Sequence, residues 1–204
     1  MGKFPIGRYT KGRVRMVFTP RLIVVVGSPG SGKDLLIRAV NDLGIRHAQI
    51  VPKHTSRRRR PDDGNEVICV DDSNYNIEPC DVLYASYKDS YRIDSSIIWK
   101  GLRMGVFQVV VVSQTQGINK LREIFGDLLV LVYVHSEISP DDFKKSELSD
   151  DEYVQSRTDD YRRAFDVYLK NFLAFDHVLI YSGIQEDLFD QIFRLFRVYE
   201  HGQL

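Results

Sequence analysis

The chain has 204 residues, a length that suits one ordinary domain, or a domain with a lid, better than two full domains, and 43% of them are hydrophobic, enough to bury a core and to argue against a disordered protein. Lys and Arg number 28, as do Asp and Glu, so the formal charge is zero; a globally basic nucleic-acid binder is excluded, a local basic patch is not. Two cysteines, Cys69 and Cys80, make neither a disulfide framework nor a four-ligand zinc site, and they read as small reduced core residues.

Residues 1–20 carry Lys3, Arg8, Lys11, Arg13 and Arg15 and no acid. They form a basic N-terminal arm, either solvated or added as an edge strand, with a phosphate-rich partner as the sharper alternative. No apolar stretch follows Met1 as in a secretory signal, and Ile6 stands where myristoylation wants Ser or Thr. The longest apolar runs, 22–26, 109–112 and 128–134, are far below the ~18 residues that span a bilayer. The expectation is a cytoplasmic protein without a membrane partner.

Leu22-Ile23-Val24-Val25-Val26 is a continuous β-branched run, as in a strand buried on both faces. A glycine-rich turn follows, then a helical pattern with Leu35, Leu36, Ala39 and Val40 on one side. Further buried strands are predicted over 109–112, 128–134 and 178–181, and helices over 95–103, 116–125, 151–172 and 185–198. In the third of these helices Tyr161, Ala164, Phe165, Tyr168 and Phe172 continue a stripe that starts at Tyr153 and Val154. Alternating strands and helices predict a parallel sheet covered on both faces. The stretch 47–93 differs. Short strand-like pieces over 48–51, 67–70 and 82–87 are separated by turn chemistry such as Pro61-Asp62-Asp63-Gly64, which predicts a small β-rich insertion. Residues 137–160 are acidic with few apolar anchors and read as a mobile surface segment.

The strongest chemical signal is Gly27-Ser28-Pro29-Gly30-Ser31-Gly32-Lys33-Asp34, which has the spacing of a phosphate-binding P-loop and lies between a strand and a helix. The glycines let successive backbone N–H groups turn toward one point, and the helix start adds its positive end. Lys33 is then placed to reach the β- and γ-phosphates of ATP. A purely structural turn is the bland alternative. Asp34 stands where most such loops have a Ser or Thr hydroxyl on Mg2+. Its carboxylate is either a hard metal ligand or a charge that repels the triphosphate. Thr55-Ser56-Arg57-Arg58-Arg59-Arg60 follows in the insertion. Guanidinium forks suit phosphate, so Arg57 and Arg60, with the Ser56 hydroxyl, are candidates for a second phosphate site. A solvated basic face or a nucleic-acid patch competes with that reading.

In these motifs the chain resembles the guanylate kinase group of P-loop kinases, over about 21–196. Thr55, Ser56, Arg57 and Arg60 match that family's Thr-Thr-Arg-x-x-Arg acceptor motif, with Ser for the second Thr. Tyr91 matches a phosphate-contacting Tyr, with Arg92 in place of the Gly that follows it. Gln116-Gly117 matches a Gln-Gly pair, Phe175-Asp176-His177-Val178-Leu179 matches Phe-Asp-x-Val-Ile, and Arg157 matches a lid-helix arginine. The resemblance implies an α/β, three-layer P-loop NTPase fold with a central parallel sheet, spanning 21–204, with an acceptor-binding insertion at 47–93 and a lid at 137–160.

It also implies a phosphotransferase that uses ATP and Mg2+, with Lys33 and Arg157 catalytic and Asp34 on the metal. Ser56, Arg57, Arg60, Tyr84, Tyr91 and Gln114 would hold the acceptor. The family's guanine-reading carboxylates are absent from 82–85 and 113–115, which leaves Tyr84 and Gln114 as less selective readers. A Walker B-like Asp is also absent, and the lid cations reduce to Lys144 and Lys145. Ribose bisphosphokinases, a sister family, carry Gly-Lys-Asp as Gly32-Lys33-Asp34 does, but lack the second arginine that Arg60 supplies. The expected acceptor is GMP or dGMP. Ribose 1,5-bisphosphate is the alternative, and a guanylate kinase-like binding module without catalysis is the rival of another class.

Overall fold

The computed structural model describes residues 18–28, 30–41, 45, 47–59, 63–70, 81–86, 89–112, 114–136 and 151–201, apart from the side chains at 86, 151–154, 156, 157, 160, 167, 171 and 172. Five parallel strands form the main sheet: β1 (Leu22–Gly27), β2 (Ala48–Ile50), β7 (Phe107–Val111), β8 (Leu129–Ser136) and β9 (His177–Tyr181), in the order β2-β7-β1-β8-β9. Four more form a second, smaller sheet: β3 (Lys53–Thr55), β4 (Val67–Cys69), β5 (Val82–Ser86) and β6 (Asp89–Ile93), in the order β4-β3-β6-β5. The helices are α1 (Lys33–Asn41), α2 (Ser95–Arg103), α3 (Thr115–Phe125), α4 (Asp151–Asn171) and α5 (Gln185–His201).

The central position of β1 follows from its composition. Leu22, Val24 and Val26 enter one core with residues of α2 and α3, while Ile23 and Val25 enter the other with residues of α1 and α5. All five side chains are fully buried, which alone is worth roughly 1.5–3 kcal/mol each. A strand with apolar side chains on both faces has no stable place at a solvent-facing edge, so it goes to the middle. β1 is thus flanked by β7 and β8, and the chain leaves it at the point where strand order reverses. In open parallel sheets the crevice at the strands' carboxyl ends near such a point is where ligands bind.

Several boundaries differ from the sequence expectation. β2 belongs to the main sheet, paired with β7, so the smaller sheet begins at Lys53. β9 is an edge strand: Leu179 is buried, but Val178 and Ile180 are close to half exposed. Along α4 the described stripe residues Tyr161, Ala164, Phe165 and Tyr168 are half-buried rather than buried. Residues 151–160, expected within a mobile segment, are the first turns of α4; 137–150, with Lys144 and Lys145, lie outside the described residues. Residues 1–17 of the basic arm also lie outside them, but Phe18 packs on Phe107 with ring centroids 5.2 Å apart. Cys69 is a free, half-buried thiol rather than a core residue, and Cys80 is outside the described residues. No described helix is long and apolar enough to cross a membrane.

Candidate active site

The loop that leaves β1 is built around two close approaches. A side chain at Gly27 would meet the Ser31 hydroxyl and the Val134 carbonyl, each at 2.6 Å. Gly30 and Gly32 have φ of 74° and 88°, the left-handed region that glycine enters without steric cost. A Cβ at Gly32 would also come within 2.9 Å of Leu188 of α5. Ser28 and Ser31 are buried, and the Ser31 N–H donates to the Ser28 carbonyl at 3.2 Å. The Leu35 and Leu36 amides donate to the Gly32 carbonyl, so α1 begins immediately after the loop. The helix's first N–H groups have no carbonyl one turn earlier and are aimed out of its start, the arrangement that binds anions. The Lys33 ammonium folds back onto the loop, donating to the Ser28 carbonyl and approaching the Ser31 hydroxyl at 3.4 Å. Asp34 is exposed in the first turn of α1. Pro29 is outside the described residues.

The second group sits on the smaller sheet. β3 pairs with β6 antiparallel, which sets Thr55 opposite Tyr91 and Lys53 opposite Ile93. The Arg57 amide donates to the buried Thr55 hydroxyl at 3.1 Å, turning the chain as it leaves β3. The Arg57 guanidinium is fixed from two sides, donating to Asp63 Oδ1 at 2.6 Å and to the Arg58 carbonyl at 2.9 Å. Its pKa is raised, first by the hydrogen bond to Asp63, against desolvation, and further by a hydrogen bond with Tyr91. Arg57 and Tyr91 are therefore neighbours. Ser56 serves the sheet: its hydroxyl accepts from the Ser90 amide at 3.0 Å. Arg58 and Arg59 are exposed, and Arg60 is outside the described residues.

Tyr84 on β5 stacks on Tyr91, centroids 5.2 Å apart and planes within 9°. A Cβ at Gly117 of α3 would lie 3.0 Å from the Tyr84 ring, so that glycine lets the ring rest against the helix backbone. Tyr84 is only 6% exposed as a result. Gln114 is the residue before α3, in extended conformation, at the same helix start. Arg157 lies in α4, with its side chain outside the described residues.

Lys53 escaped the sequence reading because a lone lysine beside a run of arginines gives no signal. The fold turns its side chain inward. Its ammonium donates to the Val111 carbonyl at the end of β7, at 3.3 Å, and lies 5.8 Å from the centroid of the Tyr91 ring. Burial pushes its pKa below the ordinary lysine value, and the charges it feels are those of Glu66, Arg57, Asp34 and Asp63. Val111 is paired with Val25 of β1, two residues before Gly27, so Lys53 links the Tyr91 ring to the strand ends from which the glycine-rich loop leaves. His54, in the middle of β3, has a buried Nδ1 without a hydrogen-bond partner; its pKa is lowered by burial and then by Arg92. Arg92 is paired with the buried Asp81 at 3.6 Å. Asp176 fastens the late motif to the sheet, its carboxylate accepting from the Leu131 amide at 2.7 Å. Among the described residues no group of three or more His, Cys, Asp and Glu side chains converges on a metal position.

The architecture matches a solved structure, the crystal structure of guanylate kinase from Anaplasma phagocytophilum. The TM-score is 0.63 and the identity 16%, over 90% of this chain and 87% of that one. The chain has a guanylate kinase-like fold, with a central five-stranded parallel sheet between helices. No family model and no curated protein sequence matches it.

Proposed function

We propose that this protein transfers the γ-phosphoryl group of ATP to a small acceptor that already carries a phosphate. The observation that carries the reading is the Lys53 ammonium, which donates to the carbonyl of Val111, the partner of Val25 on β1 two residues before Gly27, and lies 5.8 Å from the centroid of the Tyr91 ring. This brings the cationic acceptor-type group to the carboxyl end of β1 and β7, where the donor-type loop begins. The structural neighbour, a guanylate kinase, supports the same reading.

An acceptor phosphate oxygen attacks the γ-phosphorus, the bond to the β-phosphate oxygen breaks, and ADP leaves; no redox partner is needed. Catalysis of this kind is positioning and charge neutralisation. The amides of 27–33 and the Lys33 ammonium would hold the polyphosphate. Arg57 and Tyr91 would hold the acceptor phosphate, with Arg60 and Arg157 adding charge as the site closes. Asp34 is the residue that would hold Mg2+, which with ATP bound neutralises phosphate charge; one exposed carboxylate suits an ion carried mainly by phosphates and water.

Two acceptors fit, GMP or dGMP and ribose 1,5-bisphosphate. The second has an observation in its favour. Tyr84 stands in the stretch where the family reads guanine, and its ring is buried against Tyr91 and Gly117. A compact sugar phosphate needs no slot there. The deciding experiment measures transfer from labelled ATP to a panel of phosphorylated acceptors, together with melting. Mg·ATP at about 100 times its Kd raises stability by roughly 2.7 kcal/mol if the loop binds it, and Lys33→Ala abolishes the rise. No rise in the parent protein leaves a guanylate kinase-like binding module instead. A rise without transfer to any acceptor leaves nucleotide binding only.

A further inference from the structure

Lys53 has an environment that calls for an anion. Its side chain is partly buried, with the ammonium on the Val111 carbonyl, and an ammonium drawn out of water needs hydrogen-bond acceptors or counter-charge for its three protons. Among the described residues its hydrogen-bond acceptor is the Val111 carbonyl, and no carboxylate stands within ion-pair distance of it. Glu66, Asp34 and Asp63 act on it only from farther off, and Arg57 opposes it. Asp63 is already engaged with Arg57 at 2.6 Å.

Tyr91 is what the two cations share. Arg57 lies beside it, and the Lys53 ammonium lies 5.8 Å from the centroid of its ring. Two like charges held beside one phenol repel each other, and a dianion between them removes that repulsion while completing the ammonium's hydrogen bonds.

We propose that Lys53 is a further substrate-binding residue, which holds the acceptor's phosphate together with Arg57 and Tyr91 from the side that faces the P-loop. This rests on the proposed kinase reading and adds a residue to it. Burial already disfavours the charged ammonium, and a bound phosphate would reverse that.

The test is calorimetric and needs no turnover. Ribose 1,5-bisphosphate and GMP are titrated, without ATP, into the full chain and into Lys53→Met and Lys53→Arg, and Mg·ATP is titrated separately. Met keeps the length and apolar body of the side chain, and thermal melting of each variant confirms the fold. The expected result is that at least one acceptor binds the parent chain, binds Lys53→Met at least about tenfold more weakly, and recovers much of its affinity in Lys53→Arg. Mg·ATP binding stays within about twofold throughout. Unchanged acceptor affinity in a folded Lys53→Met overturns the proposal. So does equal weakening of acceptor and Mg·ATP, or a parent chain that binds neither acceptor. Acceptor binding that depends on Lys53 in a protein that never binds Mg·ATP sinks the kinase reading and leaves Lys53 as a phosphate ligand.

Discussion

At the scale of single residues, the glycine-rich loop after β1 is a backbone solution to a packing problem. Gly32 sits at φ 88° with the Leu188 side chain 2.9 Å and the Tyr181 ring 3.2 Å from where a Cβ would be. An alanine there takes on left-handed strain and also pushes into α5 and β9. Gly32→Ala is therefore expected to lower stability by about 1–3 kcal/mol and to weaken Mg·ATP binding, because the amides of Lys33 and Asp34 move with the loop. Urea unfolding and calorimetry check both effects; a variant as stable as the parent would show that the loop relaxes freely. The tight loop between β1 and α1 was legible in the sequence because it is written as glycine spacing. Lys53 was not, because its meaning depends on Val111 and Tyr91, which are remote in sequence: the β3–β6 pairing brings Tyr91 beside it, and the Val51 amide bonded to the Val109 carbonyl carries it to Val111.

At the scale of elements, legibility followed how completely a segment is buried. β1 and β8 are unbroken apolar runs, buried along almost their whole length, and they were apparent as strands. β3 and β6 were missed. The first has only three residues, and the second, Asp-Ser-Tyr-Arg-Ile, buries a single side chain, Ile93. Neither makes a pattern until cross-strand pairing supplies it. The helix that follows β6 starts from a side-chain cap. Asp94 is extended, and its carboxylate accepts from the Ser96 amide at 2.8 Å and from the Ser96 hydroxyl at 2.6 Å. Removing it in Asp94→Ala leaves the first turn of α2 without its acceptor, at a cost of about 1 kcal/mol. The measurement is a fall in the urea midpoint with an unchanged slope, since the surface exposed on unfolding stays the same. No change in midpoint would mean that solvent caps α2 equally well.

At the scale of the whole molecule, the two sheets answer acid together. His54 belongs to the smaller sheet and His177 to the edge of the main one, where its Nε2 and the Tyr199 hydroxyl lie 2.7 Å apart. Both have lowered pKa values. For His54 burial is the main cause and Arg92 adds to it, against Asp94 and Asp81; for His177 burial outweighs Asp176. In the unfolded chain each titrates near about 6.5. Below that pH the unfolded state binds more protons than the folded one, so stability falls on acidification until the folded pKa is passed. Asp94 works in the same direction at lower pH. Desolvation raises its pKa, but the Ser96 hydroxyl and amide and the Ile97 amide bring it below the ordinary value, so its contribution is present at neutral pH and is lost as pH falls through its folded pKa. The midpoint in urea should therefore be lower at pH 5 than at pH 7. His177→Gln and His54→Gln should each flatten that slope while lowering the neutral-pH midpoint only modestly, since both sites are partly open to solvent and screened. A midpoint that is level between pH 7 and pH 5, or a slope that neither variant alters, would show that the two imidazoles keep their ordinary titration in the folded protein.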